Sequence, residues 1–227
     1  MERFKRTAAA PGEVHLLGGQ WKRSRLSVAD APGLRPTPVR IRQTLFDWLA
    51  HWWAVGASLP PGEGLNGCRC VDAFAGSGAL GFEAASRGAA SVLMVEMEAA
   101  LVRRLSDAAT RLKATTVTIR RGDGIAALRS LPRGSVDLVF LDPPFGSPLA
   151  AAGLAAAREA LAPDGRIHLE SGAPLDDAEL SRAGLKCVRY RAAGAVHAQL
   201  LARDDPAPSV GPAPYTAGPE PSPGETR

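Results

Sequence analysis

The sequence predicts an α/β fold in which a mostly parallel, doubly wound, seven-stranded sheet ends in an antiparallel hairpin. Between Cys68 and Ser171 short apolar runs rich in Val, Ile and Phe alternate with helical patterns, the order that parallel strands with crossover helices produce. A glycine-rich turn stands between the first of these runs and the first of these helices. Two further runs near the end flank Ala193-Gly194 with no helix between them, so the chain turns straight back on itself.

Element by element, Leu16 to Val28 reads LLGGQWKRSRLSV, a small hairpin with Trp21 set among Lys22, Arg23 and Arg25. Thr37 and Pro38 supply an N-cap and a first-turn proline, and Ile41, Leu45, Leu49 and Trp52 then recur at helical spacing. An amphipathic helix from Pro38 to Ala54 is expected, with a Pro/Gly-rich loop at Gly56 to Gly67 behind it. The main alternation follows: CRCVDAF and a helix from Ala79 to Arg87, SVLMVE and a helix from Glu98 to Lys113, then TTVTIRRGD. VDLVFLD with a helix from Leu149 to Leu161, RIHLES with a helix from Asp176 to Ala183, and the pair KCVRYRA and VHAQLLAR complete it.

At 227 residues and 45% hydrophobic content the chain buries one sizeable core and has little room for a second. The expected organisation is a basic arm and hairpin over residues 1–36, a main domain with its leading helix over 37–203, and a tail over 204–227. That tail holds seven prolines and three glycines with few apolar side chains, too few to offset the entropy of ordering. No apolar run approaches the roughly 18 residues of a membrane-spanning helix, and Met1 to Glu13 lacks an apolar signal core. A soluble, cytoplasmic monomer is the expectation. Cys68, Cys70 and Cys187 have no pair-of-pairs spacing, which argues against a disulfide framework or a zinc site.

Charge is unevenly spread. Residues 1–50 carry nine Lys and Arg against four Asp and Glu, whereas the rest carries 18 against 19. The positive excess therefore sits in the N-terminal fifth and points to an anionic partner there.

Asp72-Ala-Phe-Ala-Gly76-Ser-Gly78-Ala-Leu-Gly81 leaves a strand and opens a helix, where glycines let the backbone approach a ligand at the helix N-terminus. The same glycines satisfy the dinucleotide fingerprint, with Glu96 twenty residues beyond Gly76. Asp72 discriminates: a carboxylate at that strand end repels a pyrophosphate but favours the ammonium of a methionine moiety. S-adenosylmethionine thus fits better than NAD. Glu96, ending the second strand, suits the ribose hydroxyls that both cofactors present. Asp123, before Gly124, suits the adenine amino group, although an ordinary turn role fits it equally. Phe74, Met97 and Gly124 adjoin these residues and complete the expected cofactor-binding set.

The strand VDLVFL runs into Asp142-Pro143-Pro144-Phe145. Two prolines fix φ and remove two amide donors while keeping their carbonyls as acceptors. With the Asp142 carboxylate they form a receptor for an NH2 group, and Phe145 offers a flat face on which a base stacks. An exocyclic base amine is a poor nucleophile because its lone pair is delocalised into the ring. Holding both of its hydrogens on acceptors favours the pyramidal, attacking form, so in-line positioning suffices for methyl transfer.

These residues resemble the RsmD-type family of 16S ribosomal RNA (guanine-N2) methyltransferases over residues 16–203. The likeness rests on GGQWKRSRL, on GLRPTPVRIRQTLFDWL at 33–49, on DAFAGSGALGFEAASRGA at 72–89, on VEM at 95–97 and on LDPPF at 141–145. It implies a class I, Rossmann-like methyltransferase that uses S-adenosylmethionine to methylate the 2-amino group of a guanine in 16S ribosomal RNA or the small ribosomal subunit. The base would be flipped into the pocket, with Arg23, Arg25, Arg35, Arg40 and Arg42 as candidates for gripping the RNA backbone. Ser24, the 56–67 loop and the tail depart from the family pattern. An amine methyltransferase acting on DNA adenine or a protein glutamine is the alternative, but such relatives more often carry Asn first or Tyr last in the tetrapeptide. An NAD-dependent oxidoreductase would have to tolerate Asp72 beside a pyrophosphate and lacks a Tyr-x-x-x-Lys pair.

Overall fold

The computed structural model describes residues 12–28, 37–56, 64–144 and 146–204. Arg35, Phe145, most of the 56–67 loop and all of the tail after Asp204 lie outside the described residues. The hairpin is made of β1 (Glu13–His15) and β2 (Arg25–Ser27), antiparallel with Val14 opposite Leu26. Helix α1 spans Val39–Gly56. Then come β3 (Arg69–Asp72), α2 (Ala79–Ser86), β4 (Ser91–Glu96), α3 (Ala99–Leu112), β5 (Val117–Arg121), α4 (Gly124–Arg129) and β6 (Val136–Leu141). After these follow α5 (Leu149–Ala160), β7 (Leu161–Ser171), α6 (Asp177–Arg182), β8 (Leu185–Ala193) and β9 (Val196–Arg203).

Seven strands form one sheet in the order β5-β4-β3-β6-β7-β9-β8. The first five in that order run parallel, while β9 is antiparallel to β7 and to β8. The expected parallel sheet with a terminal hairpin is therefore the fold. Strand order reverses between β3 and β6, and ligands of open α/β sheets bind beyond the carboxyl ends of the strands at such a switch point.

Alternation of side chains along each strand divides the core in two. Cys70, Met94, Leu138, Phe140 and Leu200 face Leu45, Phe46 and Leu49 of α1 and Phe82 of α2. Val71, Val139, Leu141, Ile167 and Leu169 face Leu154, Ala157 and Leu180 on the other side. Each such aliphatic or aromatic side chain contributes roughly 1.5–3 kcal/mol on full burial.

Two elements differ from the sequence expectation. Helix α4 is only six residues long, too short to show a helical period; Asp123 caps it through bonds from the amides of Ile125 and Ala126. Strand β7 begins at Leu161, not Arg166, because Val136 pairs with Leu161 before the register jumps and Leu138 pairs with Arg166. The intervening Ala162-Pro-Asp-Gly165 reads as a turn, and that masks the early pairing.

The hairpin is fastened to α2. Glu83 Oε2 accepts the Leu17 amide at 2.6 Å, Ser86 Oγ donates to the Gly18 carbonyl at 2.6 Å, and the Gln20 amide donates to the Ser86 carbonyl at 2.8 Å. Leu16 and Leu26 are buried in the same core as Phe46, Phe82 and Phe140.

Candidate active site

The glycine loop leaves β3 and enters α2 through two left-handed residues, Gly76 (φ 50°) and Gly78 (φ 81°), a region that glycine occupies most readily. A Cβ on Gly78 would stand 2.6 Å from Leu105 Cδ2, so the loop needs glycine for space as well. The Ala75 amide donates to the Val95 carbonyl at 2.9 Å and the Gly76 amide to Glu96 Oε2 at 2.9 Å, tying the loop to the end of β4.

Asp72 ends β3 below this loop and is 1% exposed. Its Oδ2 accepts the Gly81 amide at 3.0 Å, while Oδ1 is buried with no partner. Burial pushes its pKa up to about 7, against the pull of the Gly81 and Phe74 amides, and Glu96 and Glu170 raise it further. A buried carboxylate with an unused acceptor is costly on its own. It suits an approaching ammonium, so the donor set fits the methionine end of S-adenosylmethionine. Phe74 lies half-buried beside it.

At the end of β4, Glu96 Oε1 accepts the Glu98 amide at 2.8 Å. Each carboxylate oxygen of Glu96 therefore keeps acceptor capacity for a ribose hydroxyl. Met97 next to it is 69% exposed, an apolar side chain set at the rim. The cap on α4 uses Oδ1 of Asp123, at 2.7 Å from the Ile125 amide. Gly124 approaches β3 so closely that a Cβ would fall 1.9 Å from the Ala73 carbonyl oxygen. The turn role and the adenine role of Asp123 are thus compatible, one oxygen serving each.

Asp142 follows β6, the strand beside β3. Burial, then Glu170 and Asp72, hold its carboxyl well above the usual carboxylate range. Pro143 is buried and Pro144 exposed. The Pro144 carbonyl accepts the Ser147 amide at 3.2 Å, closing the turn. Among the described residues the Pro143 carbonyl takes no backbone bond. Phe145, expected as the stacking face, lies outside the described residues.

The sequence reading missed two residues at this edge. His168 and Glu170 are both buried on β7, with His168 Nε2 3.1 Å from Glu170 Oε1. Their alternation with Ile167 and Leu169 was the available signal, since charged residues at period two share one face of a buried strand.

Of the basic candidates, Arg23, Arg25 and Arg40 are exposed. Arg25 also pairs with Glu13 at 3.2 Å. Arg35 lies outside the described residues. Arg42 is a correction: it is 1% exposed, with Nη1 donating to the His15 carbonyl at 3.0 Å and Nε unpartnered. On α1 it shares a stripe with Leu45, Phe46 and Leu49, three, four and seven residues on, all wholly buried. A guanidinium in that position holds the hairpin to the helix and presents no face to a phosphate. Among the described residues no group of His, Cys, Asp and Glu is arranged to hold a metal ion, and no helix is long and apolar enough to cross a membrane.

The profile of a protein family described as conserved hypothetical protein 95 matches residues 14–202. The chain belongs to that family. The chain is similar to ribosomal RNA small subunit methyltransferase D of Escherichia coli K12, 39% identical over 136 residues, or 59% of this chain and 61% of that protein. That match spans less than two thirds of the relative's length. The protein of the same name from Haemophilus influenzae Rd is 34% identical over 172 residues, 73% of this chain and 82% of the relative. Among solved structures, the Escherichia coli protein yhhF, described as a candidate methyltransferase, superposes with a TM-score of 0.68 at 33% identity, covering 85% of this chain and 99% of that one.

Proposed function

We propose that this protein transfers a methyl group from S-adenosylmethionine to the exocyclic 2-amino group of a guanine in the 16S RNA of the small ribosomal subunit. The observation that carries the proposal is the placement of Asp72 and Asp142 at the ends of adjacent strands, one under the glycine loop and one before the double proline. Cofactor and amine receptors built on neighbouring strands set donor and acceptor side by side. The names of the relatives support ribosomal RNA of the small subunit as the substrate, and with a ribosomal substrate we infer a cytoplasmic enzyme.

Asp72 and the Gly76–Gly78 turn hold the methionine part of the cofactor, Glu96 the ribose, and Met97, Asp123 and Gly124 the adenine. Bound there, the cofactor supplies an electrophilic methyl group. Asp142 and the Pro143 carbonyl accept the two amine hydrogens and aim the nitrogen, while Phe145 stacks on the base. Arg23, Arg25, Arg35 and Arg40 grip the RNA backbone. A monomer is the proposed state of the enzyme.

Transfer of labelled methyl groups to small ribosomal subunits and to naked 16S RNA, both from cells lacking this enzyme, tests the proposal. Incorporation into either supports it. Cofactor binding without incorporation into either counts against RNA as the substrate.

A further inference from the structure

The catalytic edge carries a third carboxylate that the proposed reaction leaves unused. Strands β6 and β7 run parallel with Phe140 opposite His168 and Leu141 opposite Leu169. Asp142, the residue that follows β6, and Glu170 of β7 come next, and continuing the two-residue period puts them on the face that holds Phe140 and His168. Asp72 lies opposite Phe140 on the other flank. The carboxyl edge thus bears Asp72, Asp142 and Glu170 on three adjacent strands, with Asp142 in the middle.

Glu170 is 2% exposed, and among the described residues its carboxylate meets the wholly buried His168, with His168 Nε2 3.1 Å from Glu170 Oε1. Arg42 of α1 is buried in the same layer, and its charge acts on Glu170 and on Glu83 of α2. A buried carboxylate survives only where charge and hydrogen bonds compensate it. Here His168 and Arg42 do so, and the cost is borne next to the residue that receives the amine.

We propose that Glu170 is a positioning residue for Asp142: fixed by His168 and balanced by Arg42, its buried carboxylate stands beside Asp142 and makes the Asp142 carboxylate a stronger base toward the amine it binds. This rests on the methyl-transfer reading of the site. In that reaction the new carbon–nitrogen bond forms as the donor's carbon–sulfur bond breaks, with its electron pair left on sulfur. The N–H bond breaks as well, its proton passing to a carboxylate oxygen of Asp142 and from there to solvent. An ordinary carboxylate is a weak base for this step. Burial, Glu170 and Asp72 raise Asp142, in that order. The charged and titratable groups around this edge are Asp72 from β3, His168 and Glu170 from β7, Arg42 from α1, Glu83 from α2 and Glu96 beyond Asp72.

The test is the titration of Asp142 in full-length protein, followed by carbon-13 NMR on aspartate-labelled samples, with Asp142→Asn assigning its resonance. In Glu170→Gln the Asp142 carboxyl is expected to titrate about one pH unit or more lower, as loss of an adjacent like charge requires. Glu170→Asp, which keeps the charge, is expected to move it less and is the variant to read if Glu170→Gln does not fold. Methyl transfer by Glu170→Gln should show its acid limb displaced in the same direction, with a lower kcat and an unchanged KM for RNA. A purely structural role for the His168–Glu170 pair would leave the Asp142 titration where it is, and that result in a folded variant overturns the proposal. The titration needs no RNA. A parent enzyme inactive on ribosomal RNA, with Asp142 still shifted by Glu170→Gln, would overturn the substrate and leave the role of Glu170 standing.

Discussion

Glu83 Oε2 accepts a 2.6 Å hydrogen bond from the backbone amide of Leu17, 66 residues away in sequence. The other oxygen of the same carboxylate takes Arg87 Nε at 2.7 Å. One wholly buried side chain on α2 thus fixes the N-terminal hairpin to the helix that begins at the glycine loop. Whatever the hairpin binds is thereby held in a set position relative to the cofactor turn.

Glu83→Ala is expected to destabilise the protein by about 3–5 kcal/mol, because it strands the Arg87 guanidinium and the Leu17 amide without an acceptor. Glu83→Gln, which keeps one acceptor oxygen, should cost less. Urea unfolding of the two variants gives the comparison, and equal midpoints for Glu83→Ala and the parent would remove Glu83 from its place as the fastener.

Asp72 titrates near neutrality, and the sign of its effect follows. Its folded pKa of about 7 lies above the ordinary carboxylate value of 3.8, so between those two values the unfolded chain is ionised while the folded chain keeps the proton. Stability therefore falls as pH rises from about 4 to about 7, by an amount on the order of a few kcal/mol, and levels off above. Cofactor affinity should run the opposite way, tightening as pH rises through 7 and Asp72 becomes an anion for the ammonium. Asp72→Asn should flatten both dependences. Calorimetry across pH 5.5–8.5, roughly one unit or more on either side of the transition, measures the second, and an unchanged pH dependence in Asp72→Asn would contradict the assignment.

Asp142→Ala is expected to abolish methyl transfer and leave cofactor affinity within about twofold of the parent, since Asp142 serves the amine and not the cofactor. A parallel loss of cofactor binding would show that the two receptors are not separate.

Crossover helices α2, α3 and α5 and the terminal hairpin were legible because each is long enough to display its period. Helix α4 was not, since its six residues show no repeat, and Asp123 reads as a turn residue when it is also an N-cap. The cofactor turn was legible because glycines before a helix have few other uses. Arg42 reads as surface charge from its place near the N-terminus, yet its spacing from Leu45, Phe46 and Leu49 sets it on the buried stripe. Glu170 and His168 escaped because a polar residue in an apolar strand declares its depth only once the neighbouring strands are known.

The basic residues divide accordingly. Replacing the exposed Arg23 and Arg40 with Gln should weaken RNA binding and flatten its salt dependence by roughly one unit of slope per lost phosphate contact. Arg42→Met should lower stability through loss of its bond to His15 while leaving that salt slope unchanged. Filter binding over a salt series separates the two, and an unchanged slope for the Arg23 and Arg40 pair would take them out of the interface.

The central claim is the chemistry of the methylated base, and nucleoside analysis by mass spectrometry of small-subunit RNA methylated by the purified protein tests it most directly. The expected product is 2-methylguanosine in parent reactions and none in Asp142→Ala reactions. Label in a methylated adenine, or label that appears only on protein or DNA offered in the same assay, would contradict it.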